Sequence, residues 1–362
     1  MANKLKVGVL GATGMVGQRF VSLLSEHPWF EVTAVAASPS SAGKRYSDAV
    51  AGRWTLPGAV PAGAAALTVG DASQIERIAA QVDFVFCAVD MDKAATAKLE
   101  EDYARAETPV VSNNSAHRGT PDVPMMIPEI NHDHAAVIEA QRRRLGSKRG
   151  FVTVKPNCSL QSYVPAIHPL KSFGPTKLAV CTYQAISGAG KTFESWPEMV
   201  DNVIPFIKGE EEKSELEPMK IWGQIKDGKI ENAKAPVITA QCLRVPVSDG
   251  HMAAVFVSFE KKPSKEQILS AWAEFSGRPQ ELGLPSAPKP FLHYFADDSR
   301  PQTRLDRDAG NGQAISLGRL RPDNGVFDWR FVALSHNTVR GAAGGAVLTA
   351  ELLKADGYLT AK

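Results

Sequence analysis

Cys158 stands in "KPNCSLQSYVPAIHPL", residues 155–170, as one of four cysteines with Cys87, Cys181 and Cys242. Asn157 can cap a helix that begins near Ser159. A thiol at such a helix N-terminus feels the positive end of the macrodipole, which lowers its pKa and enriches the nucleophilic thiolate. The free amides of that first turn could also hold an oxyanion. Pro165 limits the helix, because proline in a helix interior removes a hydrogen bond and kinks the axis. Free cysteine is among the most buried residue types, so this stretch alone favours an inert core thiol.

A nucleophilic cysteine needs a proton manager, most often histidine. Of eight histidines, His251 stands out: it follows "RVPVSDG", a strand and then a turn, and so sits at the mouth of a strand. Arg244 lies in the same apolar strand end, where a guanidinium is costly unless it meets an anion. "NHDH" offers His132 and His134, but no cysteine or third ligand stands at zinc spacing. It reads as a solvated helix start, and no metal site is expected. "KGEEEKSELEPMKI" (208–221) has helical potential, with Glu210 and Lys213 at i, i+3 and Lys213 and Glu217 at i, i+4. On its own it reads as a salt-bridged, solvated helix.

A second chemistry is carried by "GVLGATGMVG", which spaces Gly8, Gly11, Gly14 and Gly17 at intervals of three. Glycines at such a turn let backbone amides approach a pyrophosphate at a helix N-terminus. The motif gains weight from its setting, after a strand and opening a helix. Gly11, Thr13, Gly14, Met15, Val16 and Gly17 are the expected cofactor contacts. The end of the next strand carries no acid for a ribose hydroxyl. It reads "AASPSSAGKRY", and Ser38, Ser41 and Lys44 suit a 2′-phosphate, which favours NADP over NAD.

These residues need elements to position them. "LKVGVL" (5–10), a helix over 15–27 and "FEVTAVAAS" (30–38) form strand, turn, helix and strand, the parallel βαβ unit. "DFVFCAVD" (83–90) and "PVVSNN" (109–114) read as further buried strands around a helix in "MDKAATAKLEEDYARAE". Residues 1–156 are therefore expected to be a doubly wound α/β domain. Residues 157–337 hold strand-like runs at 177–187, 241–247, 251–260 and 328–337, and a helix capped by Ser264. They make a second α/β (α+β) domain with a sheet largely of its own. The small-residue helix within 338–362 is expected to pack back on the first domain. "LPGAVPAGAAALTVG" and "GLPSAPKP" read as loops.

Composition agrees with a globular protein, at 44% hydrophobic and 22% charged residues. A net charge of +2 gives no strong field for nucleic acid or a membrane surface. Four scattered cysteines fit a reducing compartment. With no apolar leader or bilayer-length run, the expected location is the cytoplasm.

"GATGMVGQRF", "SNNSAHR", "VPMMIPEIN", "PNCS", "TYQAISGAG", "GEEEKSELEPMKI", "LRVPVSDGH" and "HNTVRGAAGG", taken in order, resemble the aspartate-β-semialdehyde dehydrogenases nearly end to end. The wording is closer to the archaeal and fungal branch than to the Gram-negative one. The resemblance implies an NADPH-dependent reduction of β-aspartyl phosphate to aspartate semialdehyde with release of phosphate, through a thioester on Cys158. It implies that His251 is the acid/base and that Gln184 positions the intermediate. Arg244 would clamp the substrate carboxylate, and Glu210 (or its neighbour Glu211) would meet the amino group. Arg118 and Lys213 would meet phosphate, with Asn157 beside them. Asn337, Ser187 and Gly188 would lie at the nicotinamide. The second domain would be the catalytic and dimerisation domain of a homodimer or tetramer. A malonyl-CoA reductase on the same scaffold is the alternative; Glu210 argues against it, since malonyl-CoA offers no amine.

Overall fold

The computed structural model describes residues 4–362. Its first sheet has six parallel strands: β1 (Leu5–Leu10), β2 (Phe30–Ala37), β3 (Val69–Asp71), β4 (Phe84–Cys87), β5 (Val110–Ser112) and β6 (Val152–Val154). Their order is β3-β2-β1-β4-β5-β6. This is the doubly wound Rossmann order, in which the chain reverses direction between β1 and β4 and opens a crevice at the strands' carboxyl ends. Strands covered on both faces are apolar throughout, and β4, Phe-Val-Phe-Cys, is buried at every position.

The second sheet is mixed. It contains β7 (Pro175–Gln184), β10 (Val237–Arg244), β11 (His251–Phe259), β12 (Leu292–Phe295), β13 (Ile315–Pro322) and β14 (Trp329–Ser335), in the order β10-β7-β11-β14-β13-β12. The strands β8 (Gln224–Lys226) and β9 (Lys229–Glu231) form a small separate hairpin. In β11 buried and half-buried residues alternate strictly, the mark of a sheet with one covered face. Ser264 caps the helix Lys265–Glu274 with a full capping box to Gln267.

The helix Gly344–Ala355 packs Ala346, Val347 and Leu348 into one core with Val7, Phe20 and Phe86 of the first sheet layer. The basic segment before β6 has a structural task. Arg144 pairs with Asp122 and Glu101, and Arg149 donates to the carbonyls of Asp83, Glu107 and Thr360. Those contacts tie the far end of the chain to the first sheet. β3 corrects the loop reading of 56–70: after a short helix at Ala62–Ala65 the chain enters the sheet edge. Among the described residues, no helix is long and apolar enough to cross a membrane.

Candidate active site

The carboxyl ends of the first sheet deliver most of the polar groups. β1 runs into the turn Gly11–Gly14, which opens the helix Met15–Leu24. Gly11 has φ +79°, and a side chain there would strike the Ala88 carbonyl; a side chain on Gly17 would strike Gly11 itself. The backbone thus forms a tight cradle at a helix N-terminus, as a pyrophosphate requires. Beside it lies a cavity of about 580 Å³ lined by Gly11, Thr13, Gly14 and Ser38. Ser41 and Lys44 are not among its lining residues; Ser41 is buried and Lys44 faces outward. Asp71, Ser73, Asp90 and Met91 do line it, and sequence reading did not single them out. Each follows a strand's carboxyl end, and that position was the available signal for Asp90 and Met91 after β4. Asp71 was hidden because a three-residue strand in an Ala/Gly/Pro-rich stretch shows no periodicity.

β5 and β6 deliver the loops Asn113–Arg118 and Lys155–Cys158. The helix behind Cys158 is not the one expected. A 3-10 turn over Ser159–Gln161 gives way to the short helix Val164–Ile167, with Pro165 in its first turn, and then to another 3-10 segment. Asn157 Oδ1 accepts the Ser159 N–H at 2.8 Å, a local turn rather than the cap of a long helix. So short a run has little macrodipole. The half-buried thiol is accordingly not lowered: burial pushes it up, Glu210 adds to the rise, and Lys155, Arg118 and Arg244 oppose it. Activation by a helix dipole is therefore replaced by a balance of side-chain charges.

The second sheet supplies the other wall. Arg244 and Gln184 are cross-strand partners at the ends of β10 and β7, and His251 begins the neighbouring β11. All three are buried. Ala185 ties them together: its N–H donates to His251 Nδ1 at 3.0 Å and its carbonyl accepts from Arg244 Nη1 at 2.7 Å. His251 is fully buried, and burial, helped by Arg244, lowers it to about 3. It is thus neutral, with its proton on Nε2, and that atom has no partner within the protein. A Cβ on Gly188 would stand 2.9 Å from Arg244 Nη1 and 3.0 Å from His251 Nε2. Asn337 accepts the Gly250 N–H at 2.7 Å and donates to Ser187 Oγ at 2.9 Å.

The helix Glu210–Ile221 crosses between the walls, and it is not the solvated helix its charge suggested. Glu210, Glu217 and Lys220 are all buried. Glu210 accepts from Asn157 Nδ2 at 3.0 Å, Gln184 Nε2 at 3.2 Å and Lys213 Nζ at 2.8 Å. Burial works against its charge, but these donors outweigh it and hold the carboxyl below its ordinary value. Glu211 turns away, accepting from Gln241 and the Cys242 amide. Lys213 pairs with Glu210 and not with Glu217. Glu217 bridges Arg118 Nη1 at 3.0 Å and the Asn157 N–H at 2.6 Å. His134 is likewise a buried structural residue, held by Asn131 and the Gly223 carbonyl. Among the described residues no group of metal-ligating side chains is gathered.

A second cavity, about 110 Å³, joins these parts: Val16, Arg118, Asn157, Cys158, Ser187 and Asn337 all line it. A thiol, a guanidinium and the first turn of the glycine-loop helix therefore face one space.

Residues 6–138 match the family described as semialdehyde dehydrogenase, NAD binding domain, and residues 167–340 match semialdehyde dehydrogenase, dimerisation domain. The chain is 42% identical over 355 residues to an aspartate-semialdehyde dehydrogenase of Archaeoglobus fulgidus, covering 97% of this chain and 98% of that one. It is 42% identical over 366 residues to the protein of that name from Aspergillus fumigatus, covering 98% and 99%. Among solved structures, aspartate semialdehyde dehydrogenase with NADP from Candida albicans superposes with a TM-score of 0.87 at 37% identity, over 98% of this chain and all of that one.

Proposed function

The chain belongs to the aspartate-semialdehyde dehydrogenase family, and from that membership we propose the NADPH-dependent reductive dephosphorylation of L-aspartyl 4-phosphate to L-aspartate 4-semialdehyde. The product feeds lysine, threonine and methionine synthesis. The observation that carries this reading is the shared cavity of Cys158, Arg118 and the glycine-loop helix.

In this reading the Cys158 thiolate attacks the acyl carbon. The carbon–oxygen bond to phosphate breaks and phosphate leaves with the electron pair, met by Arg118 and Lys213. When bound in the glycine cradle, NADPH supplies a hydride to the carbon of the resulting thioester. His251 is the acid/base in this reading, and its Nε2–H faces the oxygen on which negative charge develops. Gln184 and Asn157 orient the adduct. Collapse of the thiohemiacetal breaks the carbon–sulfur bond and frees Cys158. Arg244 takes the substrate carboxylate as a bidentate fork, and Glu210 takes its ammonium. Ser187, Gly188 and Asn337 would border the nicotinamide, Gly11, Thr13, Gly14, Met15, Val16 and Gly17 would hold the pyrophosphate, and Ser38 would meet the ribose end of the cofactor. Ser41 and Lys44, on the loop that follows Ser38, would complete a 2′-phosphate site.

Residues 1–156 with 338–362 serve as the cofactor unit and 157–337 as the catalytic and dimerisation unit. The partition is supported by two sheets confined to 5–154 and 175–335. Inorganic phosphate is the second product, and the working unit is a homodimer or tetramer in the cytoplasm. Exposed Tyr183 and Val237 on β7 and β10 suit an interface between copies. A malonyl-CoA reductase has no support among the relatives named above, and Glu210 would meet no substrate ammonium there.

Cys158→Ala tests the mechanism. Phosphate-dependent oxidation of aspartate semialdehyde should vanish while NADP still binds; near-normal turnover would refute the role of the thiol. Parallel assays with malonyl-CoA separate the two substrates.

A further inference from the structure

Glu211 and Glu215 share the helix Glu210–Ile221 with Glu210 and have no part in the chemistry described so far. Both turn to the edge of the second sheet. β10 is the outermost strand there, paired on one side only, to β7. An edge strand leaves every second amide without a ladder partner. Toward the site these are the amides of Ala240, Cys242 and Arg244, and each is taken. Glu215 Oε1 accepts the Ala240 N–H at 3.0 Å, and Glu211 Oε1 accepts the Cys242 N–H at 3.2 Å. The Arg244 N–H goes to the Ile204 carbonyl at 2.9 Å. Gln241 Nε2 adds a second bond to Glu211 at 2.7 Å.

The two spacings match. Glu211 and Glu215, at i, i+4 on one face, are separated by a rise of about 6 Å along the helix. Ala240 and Cys242 are separated by about 6.6 Å along the strand. One carboxylate therefore meets one amide, and a shift of the helix by one residue turns both away. Glu210 lies on this helix and Arg244 on this strand. Among the described residues the two form no ion pair with each other: Glu210 is held by Lys213, and Arg244 donates Nη1 to the Ala185 carbonyl. Gln184 supplies one side-chain bond from β7 to Glu210. Glu211 and Glu215 supply two more, from the helix to the backbone of the strand that carries Arg244.

We propose that Glu211 and Glu215 are positioning residues that set the separation of Glu210 from Arg244 and thereby select an α-amino acid head group. In such a head group the ammonium and the carboxylate leave the same carbon, so the groups that take them must stand at one separation. Glu211 directly follows Glu210, and the amide it grips lies two residues before Arg244. The bonds to β10 therefore act on the acid and the guanidinium together. The inference rests on the reading in which Glu210 takes the substrate ammonium and Arg244 its carboxylate.

The test is the preference for L-aspartate 4-semialdehyde over succinate semialdehyde, which lacks only the amine, in phosphate-dependent oxidation with NADP. In the double variant Glu211→Ala with Glu215→Ala the ratio of the two kcat/KM values should shrink roughly tenfold or more, mostly through a higher KM for the amino substrate. The amides of Ala240 and Cys242 should exchange faster. The pair Glu211→Gln with Glu215→Gln keeps a carbonyl acceptor at each position and should hold the preference near that of the unaltered chain. An unchanged preference in the alanine pair overturns the proposal; with faster exchange at those amides, it would mean that the carboxylates only seal an edge. A glutamine pair as impaired as the alanine pair also overturns it, since charge rather than the bond to the amides would then matter. If the alanine pair does not fold, Glu215→Ala alone, a turn away from Glu210, is read by the same two outcomes. Failure of the underlying reading has a different signature: an unaltered chain that does not prefer the amino substrate refutes the roles of Glu210 and Arg244, and the inference falls with them.

Discussion

At the scale of single residues, the site depends on a glycine that makes room for it. A Cβ on Gly341 would stand 2.9 Å from Cys158 Cβ and 3.3 Å from its Cα, closer than side chains tolerate. Neither contact atom is the end of a flexible chain, so the nucleophile's own backbone must move. Gly341→Ala should therefore lower kcat by about tenfold or more, since displacements below 1 Å already erode an attack geometry. Global stability should change far less. Steady-state kinetics with a melting curve checks this, and wild-type kcat would mean that the contact relaxes without moving the thiol. The sequence marked this residue only as part of a small-residue helix start, "GAAGG". What it packs against lies in a distant stretch, and such an approach is fixed by tertiary structure alone. Cys158, His251 and Arg244 were legible because their types are rare in their settings.

At the scale of elements, the helix Glu210–Ile221 is the principal positioning device. Glu210, Lys213, Ser214, Glu217 and Lys220 fall at helical spacing on one face, and that face looks into the site. Lys220 donates to the carbonyls of Arg118, Thr120 and Val123 at 2.8, 2.7 and 2.8 Å. It thereby staples the loop that carries Arg118. Burial lowers it to about 8, yet these acceptors keep it in place. Lys220→Met strands three carbonyls and should cost roughly 2–4 kcal/mol in urea unfolding, with faster amide exchange over 118–123. A loss within a few tenths of a kcal/mol would mean that water replaces the ammonium freely. The charge run was legible as a helix but not as a buried one, because alternating Glu and Lys look the same whether they face solvent or each other. The apolar runs of β1 and β2 and the periodic β11 and helix Lys265–Glu274 were readable directly. The strands β12 and β13 were not, since "ISLGRLRP" breaks its alternation with Gly318 and two arginines.

At the scale of the whole molecule, one buried ion pair sits behind the thiol, and its arginine also reaches the second domain. Glu129 lies on the short helix Pro128–Asn131, beyond β5 in the first domain, and is 4% exposed. It accepts Arg340 Nη1 at 2.7 Å and Nη2 at 2.6 Å, a bidentate fork. Arg340 immediately precedes Gly341, donates to Gln161 behind Cys158, and stacks over Phe291 beside the second sheet. The pair therefore links the cofactor domain, the nucleophile loop and the returning C-terminal segment at a single point. Its worth is best measured by breaking it in two ways. Glu129→Gln leaves a buried guanidinium without its charge partner and should destabilise the protein by about 3–5 kcal/mol. The double variant Glu129→Gln with Arg340→Met removes both charges and should recover part of that loss, because the uncompensated charge is gone. Activity should separate from stability. The double variant should refold well yet remain slow, since Arg340 also sets the segment against which Cys158 rests. A double-mutant cycle run on both urea midpoint and kcat tests this. If kcat recovers together with stability, the fork serves folding alone and the geometry of the thiol is held elsewhere.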